Sequence, residues 1–438
     1  MSLSGLSDEL LLEIVNFVKS GDCNRDLGNL ASCSRHLNRV TTPILYRDII
    51  ESNERTLPLL LLTILKKPDL AEFVLNYEAS EFEDGELDIS GFSEESLEMF
   101  RASIGTSGST ANEGFEWFSR VERGEWQALT TLLLLNLPKL KVLDLASYGN
   151  HTAFHGTRPQ AGTFGLLFKK AASRQISGNK TAPSLKDLKR LSVAYSDTEM
   201  GLGFEDVIPL LQLPSVTSIR VHMLNGEANF EGDMGTHLNT RKLEVSYSSI
   251  EPEALTRFLQ SFPSLEDLFY CHAGGIVGCM EFLPQTLGAG IQHLKLCLKS
   301  LEILGIPEDT FDDERALGVG SLVGFESLVN LSTMQITLFG PNDGNREDSD
   351  DDGRPVHLWN ILPKSIITLT LTDCGPEILY EFKALLERKT LATPNLKTVG
   401  FHIIGPEYDT DLAIMLTDQA KMEGVSLRLV TQPFWCEN

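Results

Sequence analysis

The chain has 438 residues, 42% of them hydrophobic and 22% charged, with a formal net charge of -24. That length exceeds one ordinary core, so it holds either several domains or one repeat array growing in one direction, and its composition is that of a folded soluble protein. The acidic balance excludes a nucleic-acid binder, which needs clustered Lys and Arg, and excludes docking on anionic lipid.

The first element is "LSDELLLEIVNFV", Leu6 to Val18. Ser7 can cap a helix, and Asp8 and Glu9 suit its N-terminal dipole. Glu13 interrupts the apolar run, no Lys or Arg precedes it, and it falls short of the about 20 residues of a membrane span. It is therefore expected to be neither an export signal nor an anchor. "KSGD" ends the helix. A second short helix is expected over 25–34 and a third over 35–40, with "TTPILY" closing the unit. So small a module cannot bury a helix that is apolar nearly all round, which points to a partner surface.

From about residue 70 one phrase returns: Leu, two residues, Leu, one residue, Leu. It reads as "LAEFVL" (70–75, degenerate), "LKVLDL" (140–145), "LKRLSV" (188–193), "VTSIRV" (216–221), "TRKLEV" (240–245) and "LEDLFY" (265–270). It continues as "IQHLKL" (291–296), "LEILGI" (301–306), "LSTMQI" (331–336), "IITLTL" (366–371) and "LKTVGF" (396–401), with "VSLRLV" (425–430) as a last strand. Helical stretches such as "EPEALTRFLQSF" (251–262) lie between copies, and strand, turn and helix at a near-constant period make a solenoid. "GSTANEGFEW" (108–117) and residues 147–165 read as loop-like insertions. Residues 78–98 carry nine acids and no base, and 341–355 read as an acidic disordered loop.

The repeats resemble the leucine-rich repeat family, with "IITLTLTDC" placing Ile366, Leu369, Leu371 and Cys374 in its pattern. The N-terminal module resembles the F-box through Leu6, Glu9, Leu10 to Leu12 and Ile14, then Leu27 and Leu30, then Cys33, Ser34 and Arg35, then Leu45 and Tyr46. It departs at Ser7, where the family usually has Pro. The fold expected is α/β: an F-box-like three-helix module over 1–48, linking helices and a first degenerate repeat over 49–135, and an irregular leucine-rich-repeat solenoid over 136–433. Its parallel sheet would lie on the concave face with helices outside.

The resemblance implies a substrate receptor of an SCF-type ubiquitin ligase. Leu6, Ser7, Leu10, Leu11, Ile14, Leu27 and Leu30 would meet a Skp1-like adaptor and, through it, a cullin, with some of the apolar ones instead holding the helices together. A first helix that only caps the solenoid, and a plain interaction scaffold without a ligase link, are the alternatives. Residues between inward Leu positions point outward from a strand. This puts Arg220, His222, Lys242, Asp267, Phe269, His293 and Lys295 on a client-binding face, with Phe269 as the anchor. Seven cysteines at scattered spacings suggest reduced thiols, hence cytoplasm or nucleus. His151 with His155, and Cys271, His272 and Cys279, have metal-like spacing but fit loop and packing roles better. No nucleophile elbow, phosphate loop or dinucleotide fingerprint occurs, so neither an enzyme nor a cofactor is expected.

Overall fold

The computed structural model describes residues 6–19, 24–51, 56–79, 87–145, 163–178, 185–195, 201–227, 230, 232, 234–272, 282–304, 317–340, 357–404 and 408–432. These form two compact units, Met1–Ser196 with Pro209–Thr217, and Asp197–Ile208 with Ser218–Asn438. His151, His155, Cys279 and the acidic stretch 341–355 lie outside the described residues.

The first unit opens with α1 (Asp8–Lys19), α2 (Asn24–Cys33) and α3 (Arg35–Leu45). The Ser7 carbonyl accepts the first helical bond, from the Leu11 N–H at 3.0 Å. The Asp8 carboxylate reaches across to α3, accepting from His36 Nε2 at 2.6 Å and from Arg39 at 2.7 Å. Leu11 and Val15 pack with Leu27, Leu37, Val40 and Ile44 into one small core. Ser34 caps α3 by accepting from the Leu37 N–H at 3.1 Å. The helix runs past its expected end at Val40 and through Pro43, which removes a donor only from the last turn.

The chain then goes directly into β1 (Asp48–Ile50), followed by α4 (Thr56–Lys66), β2 (Asn76–Ala79), α5 (Glu94–Thr106), α6 (Ala111–Glu122), α7 (Trp126–Leu135), β3 (Val142–Leu145), α8 (Thr163–Ser177) and β4 (Arg190–Ala194). The strands pair in parallel in the order β1-β2-β3-β4. Two expectations change. "LAEFVL" is not the strand: Pro68–Phe73 form a 3-10 turn, and the inward residues are Val74, Tyr77 and Ala79. "GSTANEGFEW" is not a loop but the head of α6, where Thr110 and Glu113 complete a reciprocal cap. The leucine runs of α4 and α7 are core, with Leu57, Leu61, Leu129 and Leu132 to Leu134 fully buried. Asp48 ties α1 to the strands through bonds from Lys19, Arg47 and Asn76. Burial alone would raise its carboxyl, but those donors prevail and hold it below the usual carboxylate range.

Further on come β5 (Leu202–Gly203), α9 (Phe204–Leu211), through which the division between the units passes, β6 (Ser218–His222), β7 (Leu224–Gly226), β8 (Lys242–Ile250), α10 (Pro252–Gln260), β9 (Asp267–His272) and α11 (Pro284–Ile291). Then follow β10 (Ser300–Leu304), β11 (Asn330–Met334), α12 (Gln335–Phe339), α13 (Leu358–Ile361), β12 (Thr368–Cys374), α14 (Ile378–Glu387), α15 (Lys389–Ala392), β13 (Thr398–Ile404), α16 (Thr410–Met422) and β14 (Ser426–Gln432). Within the second unit the main path is β6-β8-β9-β10-β11-β12-β13-β14, every pairing parallel, with β7 on β8 and β5 on β7. Parallel neighbours need a crossover between them, and the intervening helices and turns supply it.

Here the repeat frame needs correction at three places, "IQHLKL", "LEILGI" and "LSTMQI". "IQHLKL" is not a strand: Gln292–Leu294 form a 3-10 turn, and Leu296 is 71% exposed. The working frames are Leu298, Leu301, Ile303 and Leu328, Leu331, Thr333, which are all buried. Leucines spaced two and three apart offer several overlapping frames. The register with β9, which pairs Leu301 with Leu268, selects one.

Three repeats end in the same backbone device. Met223, Tyr247 and Asp373 have φ of 60°, 49° and 50°, although none is glycine. Each precedes a buried residue: Leu224, Ser248 or Cys374. The Ser248 hydroxyl donates to its own Ser246 carbonyl and accepts from the Leu224 N–H of the neighbouring repeat, both at 2.9 Å. Cys374 makes the matching bond to the Thr372 carbonyl at 3.7 Å. Glycines have their own place in α11, where a Cβ on Gly288 would stand 1.9 Å from the Val319 carbonyl oxygen. "GAG" is thus a packing motif.

Candidate functional site

Two surfaces collect the residues singled out in the sequence. On the first, α1 presents Leu10, 48% exposed, and Phe17, 80% exposed, with half-buried Ile14 between them. Steps of four and three residues put these on one helix face. Ser7 is exposed at the head of this face. Leu6 and Leu30 are partly buried against the module core. Leu11 and Leu27 lie within it, 1% and 0% exposed, so they hold the helices together and do not reach the surface.

On the second surface, three adjacent strands of the second unit bring Arg220, His222, Lys242, Asp267 and Phe269 to the outward face. Alternation along a strand fixes that side, because Ile219, Val221, Leu243, Val245, Leu268 and Tyr270 all point into the core. Arg220 Nε pairs with Glu244 at 2.9 Å. Lys242 stands level with Asp267. Half-buried Phe269 lies between Glu244 on one neighbouring strand and Glu302 on the other. His222 Nδ1 meets the Ser246 hydroxyl at 3.0 Å, and burial, aided by the Arg220 charge, lowers its pKa. At the end of this face Tyr247 is 48% exposed, its ring edge-on to His222 at 5.2 Å. Tyr247 escaped the reading of the sequence because its orientation comes from the left-handed turn, which strict alternation does not include.

His293 and Lys295 do not join this face. They sit in the turn between α11 and β10, where His293 Nε2 lies 3.3 Å from the Phe262 carbonyl. The chain there forms a 3-10 turn, and the strand begins only at Ser300.

The first unit holds an unexpected titratable group. Glu51 follows β1 at the position where Ala79 and Leu145 sit inward on the next strands, and it is fully buried. Its Oε2 accepts from Trp126 Nε1 at 3.2 Å. The Tyr77 hydroxyl is close enough to favour the anion, yet without hydrogen-bond geometry, so Glu51 Oε1 and the hydroxyl are both left unsatisfied. Burial dominates and pushes the carboxyl up to about 7. Held away from solvent in this way, the group bears on stability.

Among the described residues no cluster of three or more His, Cys, Asp or Glu is arranged to hold a metal, and no helix is long and apolar enough to cross a membrane. What both surfaces offer is contact area. One is apolar on a helix; the other is a charged strip around an aromatic ring.

A family model described as a leucine-rich repeat domain matches residues 47–400. No curated protein matches the chain.

Proposed function

The chain belongs to the leucine-rich repeat family, whose domains generally bind proteins, and from that premise we propose that it is the substrate receptor of an SCF-type ubiquitin ligase. The F-box-like helices dock on a Skp1-like adaptor, which bridges to a cullin, and the strip around Phe269 holds the client. The receptor itself contributes no catalytic side chain and uses no cofactor. It raises the rate by holding client and ubiquitin donor together, an effect of local concentration. It works in the cytoplasm or nucleus.

The observation that carries this reading is the face of α1. Leu10 and Phe17 stay exposed although the module's core is already closed by Leu11, Val15 and Leu27. Burying a large apolar side chain such as Leu10 against a partner is worth about 2 kcal/mol. Phe17 is 80% exposed, so Phe17→Asp should leave the protein folded, which the thermal midpoint checks. Co-purification should then show the unaltered protein retaining Skp1 and cullin and the variant losing both. Full retention by a folded Phe17→Asp protein would falsify the docking assignment. On the client side, Phe269→Ala should weaken client capture while leaving Skp1 retention intact.

Ser7 favours a second reading, an interaction scaffold with no ligase link, because it replaces the family's usual Pro where adaptor contact would begin. In that case Skp1 is absent from pull-downs of every variant, whereas binding through Phe269 persists.

A further inference from the structure

The three successive turns that lead into β11, β12 and β13 enclose a cavity of about 700 Å³. Pockets for small ligands span roughly 300–1,000 Å³ and combine apolar walls with a few convergent polar groups. Here the walls are largely Phe325, Trp359, Leu362 and Leu391, and Leu391 is 79% exposed at the rim.

The polar lining runs against the charge of the chain. Lys364 and Arg388 both line the cavity, with Glu326 as the one acid, in a protein of net charge -24. Among the described residues neither cation makes an ion pair. Other polar groups of the lining have structural work. The Ser365 hydroxyl donates to the Phe325 and Leu328 carbonyls, each at 2.7 Å, and Asn395 Nδ2 donates to the Lys364 carbonyl at 3.1 Å.

The wall is also held in place before anything binds. The Arg388 guanidinium lies 4.6 Å from the centre of the Trp359 ring. His357 stacks on the same indole at 3.8 Å, and its Nδ1 is fixed by Glu381 at 3.0 Å. Stacking uses the face of the guanidinium and leaves the N–H groups on its edge to meet an acceptor.

We propose that this cavity binds a small organic anion with an apolar body. Its carboxylate pairs with Lys364 and Arg388, and its body lies against Phe325, Trp359 and Leu362. This goes beyond the protein-binding surfaces and depends on neither reading of them.

The test uses the full chain and decanoate as the probe, followed by calorimetry and by Trp fluorescence. 1-Decanol and decyltrimethylammonium serve as neutral and cationic counterparts with the same body. Decanoate should saturate one site and bind roughly tenfold or more tighter than either counterpart. Lys364→Met with Arg388→Met should erase that preference while leaving the thermal midpoint in place. Trp359→Phe, a second and milder variant, should remove the fluorescence response and keep the charge preference. Equal binding of decanoate and decanol, or an unchanged preference in the double variant, overturns the proposal. An acetyl-Leu-Phe dipeptide with a free carboxylate, compared with its amide, tests the other source of this chemistry. Were the free dipeptide to bind about tenfold tighter than decanoate, the site would read a peptide terminus and the assignment to a small acid would be wrong.

Discussion

Glu51 shows how far one buried carboxyl can move the stability of a repeat. Its folded pKa, about 7, stands above the ordinary value of 4.5. Below pH 4.5 both native and unfolded chains hold the proton, so the group costs nothing that depends on pH. Between 4.5 and about 7 the unfolded chain gives up its proton first, and stability falls as pH rises. The loss should total about 3 kcal/mol and level off above the folded pKa. Glu51→Gln keeps an acceptor for Trp126 and should abolish this slope. Urea midpoints at pH 5 and pH 8 would then lie closer together for the variant than for the unaltered protein, the half-buried Asp206 carboxyl, pushed up to about 6, leaving a smaller slope of its own with the same sign. Ser248 works at the same scale without titrating. Ser248→Ala leaves the buried Leu224 N–H without its acceptor and should cost about 1–3 kcal/mol in urea denaturation.

Among whole elements, α11 sits against the loop before β11 because Gly288 lacks a side chain. Gly288→Ala must displace the Val319 backbone, and a fall of about 1–3 kcal/mol or more in unfolding free energy is expected. How the elements could be read in advance depended on what each residue had to satisfy. Where a phrase offered one frame, as at Leu140–Leu145 or Ile366–Leu371, strand and inward residues were evident from alternation alone. Between Ile291 and Ile306 the leucines fit three frames, and only pairing with the neighbouring strand could choose among them. The head of α6 looked like a loop because Gly114 and Asn112 are weak helix formers, yet the Thr110 and Glu113 cap outweighs them. Periodicity sets Leu10 and Ile14 on one face of α1 and Phe269 between the inward residues of β9, and the structure has the same alternation. The inward turn of Leu11 and Leu27 is not legible in this way, since an all-apolar helix does not say which face its own module keeps. The cavity beneath Trp359 was out of reach: its walls come from three turns spread between Val323 and Asn395.

For the whole molecule, the dominant quantity is net charge. At -24, self-repulsion acts against the compact state and is screened by salt, with a Debye length of about 30 Å at 0.01 M falling to about 8 Å at 0.15 M. The thermal midpoint at pH 7 should therefore rise with ionic strength over that range, and a flat or falling response would mean that local ion pairs such as Arg220 with Glu244 outweigh the global field. The division into two compact units could not be anticipated from the repeat phrase, which continues on both sides of it at "LKRLSV" and "VTSIRV".

The parallel order of the second unit's strands has a mechanical consequence. Each strand from β8 to β13 is bonded only to its neighbours in that path, apart from the short β7. A pull on the C-terminal end loads the outermost ladder first, and that ladder can part while the next one is still intact. Stretched in this way, the unit should yield in a series of small events instead of one rupture. With roughly 30 residues released per event at about 3.5 Å each, the contour should lengthen in steps on the order of 100 Å. A solenoid built like this can give way at one end under load while the strands around Phe269, several places further in, keep their pairing.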